Sequence, residues 1–273
     1  MVVSDYVFGF RRAHADYFDP FVPSITYIMF PFIRNESIIG RVLVKSMGSQ
    51  LEADVPTMEK FFLPSARPRN TGKEFLLYVN SHYVAYREMS AHMLSRIGPI
   101  HALGSCQGNL NVVPVIVDAS RPPRCQPYPD GERPPSIIVN DDMNGGRSNY
   151  FNKVMFQDFR FMLLMEDANI PGYITERMID GFMAGTVPIY YGTTQIFDIF
   201  NPKAFVYFDI NNPSEALDRI RHLEGNPDAY RQMLDEPILA DGERTIEKYF
   251  SFDDYIGNGM LKKRVRKKLG FPI

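Results

Sequence analysis

The sequence predicts an α/β fold built on a parallel sheet. Two stretches of the 273-residue chain follow the order strand, polar turn, amphipathic helix and strand, which is the sequence form of a βαβ unit. Their strands are short continuous apolar runs, as is typical of strands buried on both faces of a sheet. Polar residues follow the first strand of each unit, at the edge where open α/β sheets bind ligands. We therefore expect a Rossmann-like domain.

The clearer unit begins with the apolar run Phe161–Met165. Glu166 and Asp167 follow it and change the polarity abruptly. The next segment carries apolar residues at helical spacing, namely Ile174, Met178, Phe182 and Met183. Gly185 is predicted to end this helix, and Val187–Tyr191 is predicted to form the second strand.

The other unit opens with the predicted strand Glu74–Val79. A helix is predicted over Tyr83–Arg96, with apolar residues at Val84, Met89, Met93 and Leu94, and a short strand over Pro99–Leu103. Three polar residues surround the first turn of this helix: Asn80, Ser81 and Arg87.

The remaining chain is expected to divide around these units. Residues 1–70 are predicted to be an aromatic-rich N-terminal domain that ends in a Pro-rich linker, and residues 73–250 the Rossmann-like domain with an insertion-like loop at 107–149. Residues 251–273 form a tail. Further strands are predicted at Val112–Val117 and Ile137–Val139, and further helices at Ser214–Leu223 (with Ser214 as its N-cap), Asn226–Leu234 and Gly242–Phe250.

The composition is that of an ordinary globular protein, with 45% hydrophobic and 23% charged residues. The formal net charge of -2 argues against a general nucleic-acid binder. No apolar run approaches the roughly 20 residues that span a membrane, and the N-terminus lacks the pattern of a secretory signal. Only Cys106 and Cys125 are present, close in sequence, and they form either a disulfide or two reduced thiols.

The tail carries a cluster of basic residues, namely Lys262, Lys263, Arg264, Arg266, Lys267 and Lys268. Leu261, Val265 and Leu269 recur at fourfold spacing and would give a helix there an apolar edge. Two interpretations are open for this segment: peripheral contact with an anionic membrane surface, or a solvated terminal helix.

The order of residues in the clearer unit resembles the α-1,3-fucosyltransferases (glycosyltransferase family 10). The chain has E-D-x(5)-Y-I-T-E-R followed by A-G-T-V-P-I-Y-Y-G, where the family usually has F-E-N, a short gap, Y-[IV]-T-E-K, a small residue and V-P-[VI]-x-x-G. The resemblance extends from Lys73 to Phe250 outside the insertion, including N-P-K-A-F at 201–205, and weakly to the segment D-Y-x-x-G-F at 5–10. It implies a GT-B-type protein, with a Rossmann-like donor domain and a shortened N-terminal acceptor domain.

The resemblance also implies a set of residues that bind the donor. Arg87 and Arg177 would stabilise the charge on the diphosphate leaving group, with Arg177 standing where the family has Lys. The residues expected to contact the rest of the donor are Glu176 on ribose or fucose hydroxyls, Tyr173 beside the nucleotide (with core packing as its alternative role), and Asp167 in place of the family's Asn. An aspartate adds negative charge near a diphosphate, so it needs a neighbouring cation. Lys153, which lies beside a predicted helix before the core strand, is expected to be a weaker phosphate or base contact.

No metal or other cofactor is expected. The chain has no D-x-D motif at a strand end, and its histidines show no ligand spacing with carboxylates or cysteines. The catalytic residue is unknown, because the family places the general base upstream of the segment that 5–10 resembles. Glu36, Glu52 and Asp19 are candidate carboxylates in the N-terminal part, and nothing in their spacing selects one. Three explanations stay open: a truncated start, another acid in the role, or donor binding without efficient transfer.

The predicted function is therefore transfer of L-fucose from GDP-fucose to a hydroxyl of an oligosaccharide acceptor, with inversion, as an α-1,3 linkage to N-acetylglucosamine or glucose. The alternatives are another nucleotide-sugar transferase of the same fold, and a pseudoenzyme that binds donor or glycan without the general base. The expected partners are GDP-fucose and a glycan, not nucleic acid, with membrane contact through the tail left open. The expected location is cytoplasmic, or the Golgi lumen if an N-terminal anchor precedes this sequence.

Overall fold

The computed structural model describes residues 67, 69–80, 82–104, 106–110, 125, 128, 131–139, 156–175, 177–251, 257–268 and 270–273. The predicted N-terminal domain lies almost entirely outside this range, as does the predicted strand Val112–Val117.

A parallel six-stranded sheet forms the centre of the described structure. Its strands in chain order are β1 Glu74–Val79, β2 Ile100–Leu103, β3 Ile137–Val139, β4 Phe159–Met165, β5 Val187–Tyr191 and β6 Val206–Tyr207. They lie in the order β3-β2-β1-β4-β5-β6, and every neighbouring pair is parallel. This is the strand order of a Rossmann fold. The α/β fold class and the Rossmann-like domain are therefore confirmed.

Strands β1 and β4 are the two central strands, although they are 80 residues apart in sequence. Leu76 of β1 is in register with Phe161 of β4, and Tyr78 with Leu163. Both strands are buried almost throughout, with Leu76 and Phe161 fully buried, because helices cover both faces of the sheet. This burial explains why their sequences are continuous apolar runs.

The α-helices, in chain order, are α1 Ala85–Leu94, α2 Arg177–Met183, α3 Ser214–Gly225, α4 Pro227–Asp235, α5 Gly242–Tyr249 and α6 Met260–Lys268. All of the helices predicted in this range are present. The N-cap of α3 is Pro213 rather than the predicted Ser214. Gly185 has φ +73° just after α2 and ends that helix as expected.

Helix α1 turns a polar face toward the sheet. Arg87 and Glu88 are each 1% exposed, whereas Met89 is 40% exposed. Leu94 is fully buried, as the apolar spacing indicates, whereas Met89 is not. The spacing fails at Met89 because part of the buried face is formed by Arg87 and Glu88, whose polar groups are hydrogen-bonded.

Cys106 and Cys125 form a disulfide that closes the loop after β2. Of the two alternatives that the sequence left open, the structure has the bridge. The loop is also held by Tyr128, whose hydroxyl donates to the carbonyl of Gly108 at 2.5 Å.

The basic segment forms helix α6, which packs on the domain. Leu261 is fully buried, and its backbone N–H donates to Ser251 Oγ at 2.8 Å. Leu261 therefore does not belong to an exposed apolar edge, which corrects that prediction. Lys263, Arg266 and Lys267 are exposed. None of the helices in the described part of the chain has the length and apolar character that a membrane span requires.

Candidate functional site

The candidate site lies at the carboxyl ends of β1 and β4. The chain runs from β1 outward through β2 and β3, and from β4 outward through β5 and β6, so the sheet reverses its order between β1 and β4. Such a switch point forms a crevice at the carboxyl ends of the strands, where α/β proteins bind ligands. Asn80 follows β1 here, and Glu166 and Asp167 follow β4.

Three basic side chains converge on one oxygen atom, Oδ1 of Asp167. Arg87 donates a hydrogen bond to it from Nη2. His82 Nε2 lies 3.3 Å from the same oxygen, and Arg177 Nη2 lies 3.8 Å from it. This oxygen thus marks a position where a negative charge is stabilised by groups from two different βα connections.

The carboxyl of Asp167 is held in its charged form by this surrounding. Burial alone would raise the pKa of Asp167. The hydrogen bond from His82 and the charges of Arg87 and Arg177 outweigh burial and hold this pKa well below its usual value. Arg87 and Arg177 thus supply the neighbouring positive charge that an aspartate at this position needs.

Arg87 is fixed inside the domain rather than lying in solvent. Its Nη1 donates to Asn80 Oδ1 at 2.9 Å, and its Nη2 donates to the carbonyl of Met165 as well as to Asp167. Its Nε is buried without a hydrogen-bond partner among the described residues. Burial and the nearby charge of Arg177 lower the pKa of Arg87, but a guanidinium keeps its charge in proteins.

Glu166 anchors the loop that leads from β4 to Arg177. Its carboxylate is fully buried and accepts from Thr175 N at 2.7 Å, from Thr175 Oγ1 at 2.8 Å and from Tyr190 Oη at 3.3 Å. Arg177 Nε lies 3.8 Å from it. Glu166 thereby closes the loop and sets the start of α2, so its role is structural.

Close packing explains the glycine at position 192, which ends the V-P-I-Y-Y-G motif. A Cβ on Gly192 would lie 2.4 Å from Tyr190 Oη and 2.8 Å from Glu166 Cγ. A larger residue at 192 would therefore displace the carboxylate that anchors the loop.

Tyr173 lies half-buried in the same loop. Burial and the negative charges of Asp167 and Glu166 raise the pKa of its hydroxyl well above the usual value, so the group stays protonated at neutral pH. The structure thus brings together four predicted residues: Arg87, Asp167, Tyr173 and Arg177. The other two, Glu176 and Lys153, lie outside the described residues, as do Glu36, Glu52 and Asp19.

Sequence reasoning missed His82 as a member of this site. The one signal for it is its place two residues after Asn80, in the turn that follows β1. It also missed Glu88, the buried residue that follows Arg87 in helix α1.

One group of three side chains with metal-ligand chemistry occurs among the described residues, formed by Glu88, Cys106 and Cys125. The disulfide joins both sulfurs of that group, so neither is available as a thiolate ligand.

A cavity of about 730 Å³ lies at the opposite edge of the sheet, by the start of β4. It is lined by Arg69, Arg160 and Arg231, among others, but these pair with Asp235, Glu224 and Asp228 respectively. Each of these arginines pairs with a different carboxylate, so they do not converge on one point as the basic residues around Asp167 do.

The half of the site that follows β4 lies in a segment that matches a known family. Residues 141–235 match the family described as "Glycosyltransferase family 10 (fucosyltransferase) C-term". The matched range includes β4, the loop from Glu166 to Arg177, α2 and β5.

The chain spans only about a fifth of the length of the curated relatives that it matches. The chain is 38% identical over 108 residues to the alpha-(1,3)-fucosyltransferase FucT of Helicobacter pylori, covering 38% of this chain and 23% of that protein. It is 31% identical over 93 residues to the GDP-fucose protein O-fucosyltransferase 3 of Gallus gallus, covering 33% of this chain and 19% of that protein. A crystal structure of an alpha1,3-fucosyltransferase with GDP matches with 22% identity and a TM-score of 0.45, over 85% of this chain and 55% of that one.

Proposed function

We propose that the chain is a fucosyltransferase of glycosyltransferase family 10, whose C-terminal domain residues 141–235 match, and that it transfers L-fucose from GDP-fucose to a hydroxyl of an oligosaccharide. The proposed linkage is α-1,3 to N-acetylglucosamine or glucose, with inversion at the anomeric carbon. The names of two similar proteins support fucose as the sugar, and one of them names GDP-fucose.

The convergence of Arg87, His82 and Arg177 on one oxygen carries this proposal. Departure of GDP leaves negative charge on its distal phosphate, and fixed cations at that position lower the barrier. Two guanidinium groups suit this role, because each presents a planar fork to phosphate oxygens. A phosphate oxygen would bind beside the carboxylate oxygen of Asp167 or displace it.

The remaining contacts follow from the resemblance to the family. Tyr173 would flank the nucleotide, Glu176 would accept hydrogen bonds from sugar hydroxyls, and Lys153 would contact a phosphate or the base. Since Arg87 and Arg177 would supply the positive charge that the diphosphate needs, we propose that no divalent ion takes part. The general base would come from Glu36, Glu52, Asp19 or another carboxylate outside the described residues.

The donor is tested by measuring GDP, GDP-fucose and UDP-sugar binding by calorimetry, beside fucose transfer to N-acetyllactosamine with and without EDTA. We expect GDP and GDP-fucose to bind, UDP-sugars to bind far more weakly, and EDTA to leave transfer unchanged. Preference for a UDP-sugar would contradict the fucose assignment. GDP-fucose binding without transfer or hydrolysis would favour a donor-binding pseudoenzyme.

We further propose that helix α6 contacts an anionic membrane surface. Lys263, Arg266 and Lys267 are exposed on it, while Leu261 ties the helix to the domain. Phe271 and Ile273 follow it and are 45% and 75% exposed. Basic residues at an anionic surface contribute about 1 kcal/mol each, and exposed apolar residues beside them would enter the headgroup region.

Sedimentation with vesicles tests this contact. The protein should bind vesicles that contain phosphatidylserine, and binding should fall steeply with salt. The triple variant Lys263→Glu, Arg266→Glu, Lys267→Glu should lose this binding. Equal binding of wild type and variant, or equal binding to neutral phosphatidylcholine vesicles, would contradict the proposal.

A further inference from the structure

We infer that Asn80, Tyr78 and Glu88 are positioning residues that orient Arg87 toward the donor diphosphate, with the disulfide loop as their outer support. This inference rests on the proposed function. None of the three touches the position marked by Asp167 Oδ1, and each acts through the next one.

Asn80 is the link that contacts Arg87 directly. Its Oδ1 accepts from Arg87 Nη1 at 2.9 Å, while its Nδ2 donates to the carbonyl of His82 at 2.9 Å and to Tyr78 Oη at 3.1 Å. These partners fix the orientation of the amide, since a flipped amide would face the guanidinium with N–H groups. Asn80 therefore holds two of the three basic residues that converge on Asp167.

The backbone of Asn80 is fixed as well. Its N–H donates to Leu103 O at 3.0 Å, and its carbonyl accepts from Cys106 N at 3.2 Å. The carbonyl lies so close to the next turn that a Cβ on Gly104, at φ +86°, would come within 2.5 Å of it. Asn80 is thus clamped between β1 and the turn after β2.

Tyr78 and Glu88 support Asn80 through a chain of hydrogen bonds. The Tyr78 hydroxyl donates to Glu88 Oε1, and Oε2 accepts from Gly108 N at 2.6 Å and Asn109 N at 3.2 Å. Burial and the charge of Glu88 raise the pKa of Tyr78 well above its usual value, so its hydroxyl remains a donor. Gly108 and Asn109 belong to the loop that the Cys106–Cys125 bridge closes.

The hydrogen-bond network ends at Arg87, and this argues for a role in binding rather than in packing alone. Burying Glu88 and Arg87 beneath a helix is costly compared with burying apolar residues, yet the network ends on the guanidinium that faces Asp167. Held by Asn80 and by Met165 O, Arg87 cannot rotate away from the crevice. A preorganised cation stabilises developing charge without reorganisation.

A double-mutant cycle on GDP affinity tests the inference. In the wild-type background, Asn80→Ala should weaken GDP binding by about tenfold, as expected for a lost hydrogen bond to a charged group. In an Arg87→Lys background, the same change should have little effect, because lysine cannot present the planar fork that Asn80 orients. Tyr78→Phe, which removes one oxygen, should show the same pattern with a smaller effect and serves if Asn80→Ala fails to fold.

The matched control is Asn70→Ala. Asn70 also donates two partly buried hydrogen bonds, to Gly185 O at 2.6 Å and to Tyr230 Oη at 2.7 Å. It lies at the opposite edge of the sheet, so its replacement should leave GDP affinity unchanged. Equal losses for Asn80→Ala in both backgrounds, or no loss while Arg87→Lys weakens binding, would overturn the positioning role. A wild-type protein that does not bind GDP would overturn the proposed function and the inference with it.

Discussion

Replacing Arg177 by alanine should weaken GDP binding by about ten- to a hundredfold while the domain stays folded. A hydrogen bond to a charged group contributes about 1.5–3 kcal/mol, and about 1.4 kcal/mol corresponds to a tenfold change in affinity. The Arg177 side chain is 23% exposed, and its contacts with Glu166 and Asp167 are both at 3.8 Å. Its loss therefore removes charge from the crevice without opening the core.

Two companion variants sharpen this expectation. Arg177→Lys keeps the charge but replaces the planar fork by a point donor, so its GDP affinity should lie between those of wild type and Arg177→Ala. Arg231→Ala removes an equally charged side chain that is 65% exposed and paired with Asp228, so it should have no effect. Calorimetric titration with GDP, together with thermal unfolding of each variant, makes the comparison.

A different ranking would contradict the assignment. If Arg177→Ala and Arg231→Ala have the same GDP affinity as wild type, Arg177 does not bind the diphosphate. If Arg177→Ala also unfolds at a much lower temperature, its weaker binding reflects a damaged domain rather than a lost phosphate contact.

The sheet could be predicted from sequence because its signals are local. Runs such as Phe161–Met165 are apolar without interruption, and glycines such as Gly185 mark the ends of elements. Arg87 and Arg177 could be expected at the same end of the sheet because each follows a strand in a βαβ unit. The parallel order then brings the ends of β1 and β4 together, as the Rossmann pattern requires.

The contacts inside the site could not be predicted in this way. The pairing of His82 with Asp167 joins residues 85 positions apart, and nothing in local spacing selects it. Helix α1 is the clearest case: its apolar Met89 faces outward, and its charged Glu88 is buried because Tyr78 and two backbone N–H groups satisfy the carboxylate. Such burial depends on tertiary partners, which hydrophobic periodicity does not detect.

Glu166→Ala should lower the free energy of unfolding by about 3 kcal/mol. The carboxylate is fully buried and accepts three hydrogen bonds, two from Thr175 and one from Tyr190. Removing it leaves these buried donors without an acceptor, which costs about 1–3 kcal/mol for a single group and about 3–5 kcal/mol where a buried charge partner is lost. Urea unfolding at neutral pH measures the change.

The control is Glu215→Ala, which removes an exposed carboxylate from the first turn of α3 and should change stability by less than about 0.5 kcal/mol. Glu166→Gln should fall between the two, because its amide keeps one acceptor but places N–H groups against the Thr175 donors. Glu166→Ala should also weaken GDP binding, since Thr175 N no longer fixes the residues that precede Arg177. Stability losses of equal size at Glu166 and Glu215 would show that this carboxylate does not anchor the loop, and the position of Arg177 would then have to come from the packing of α2 alone.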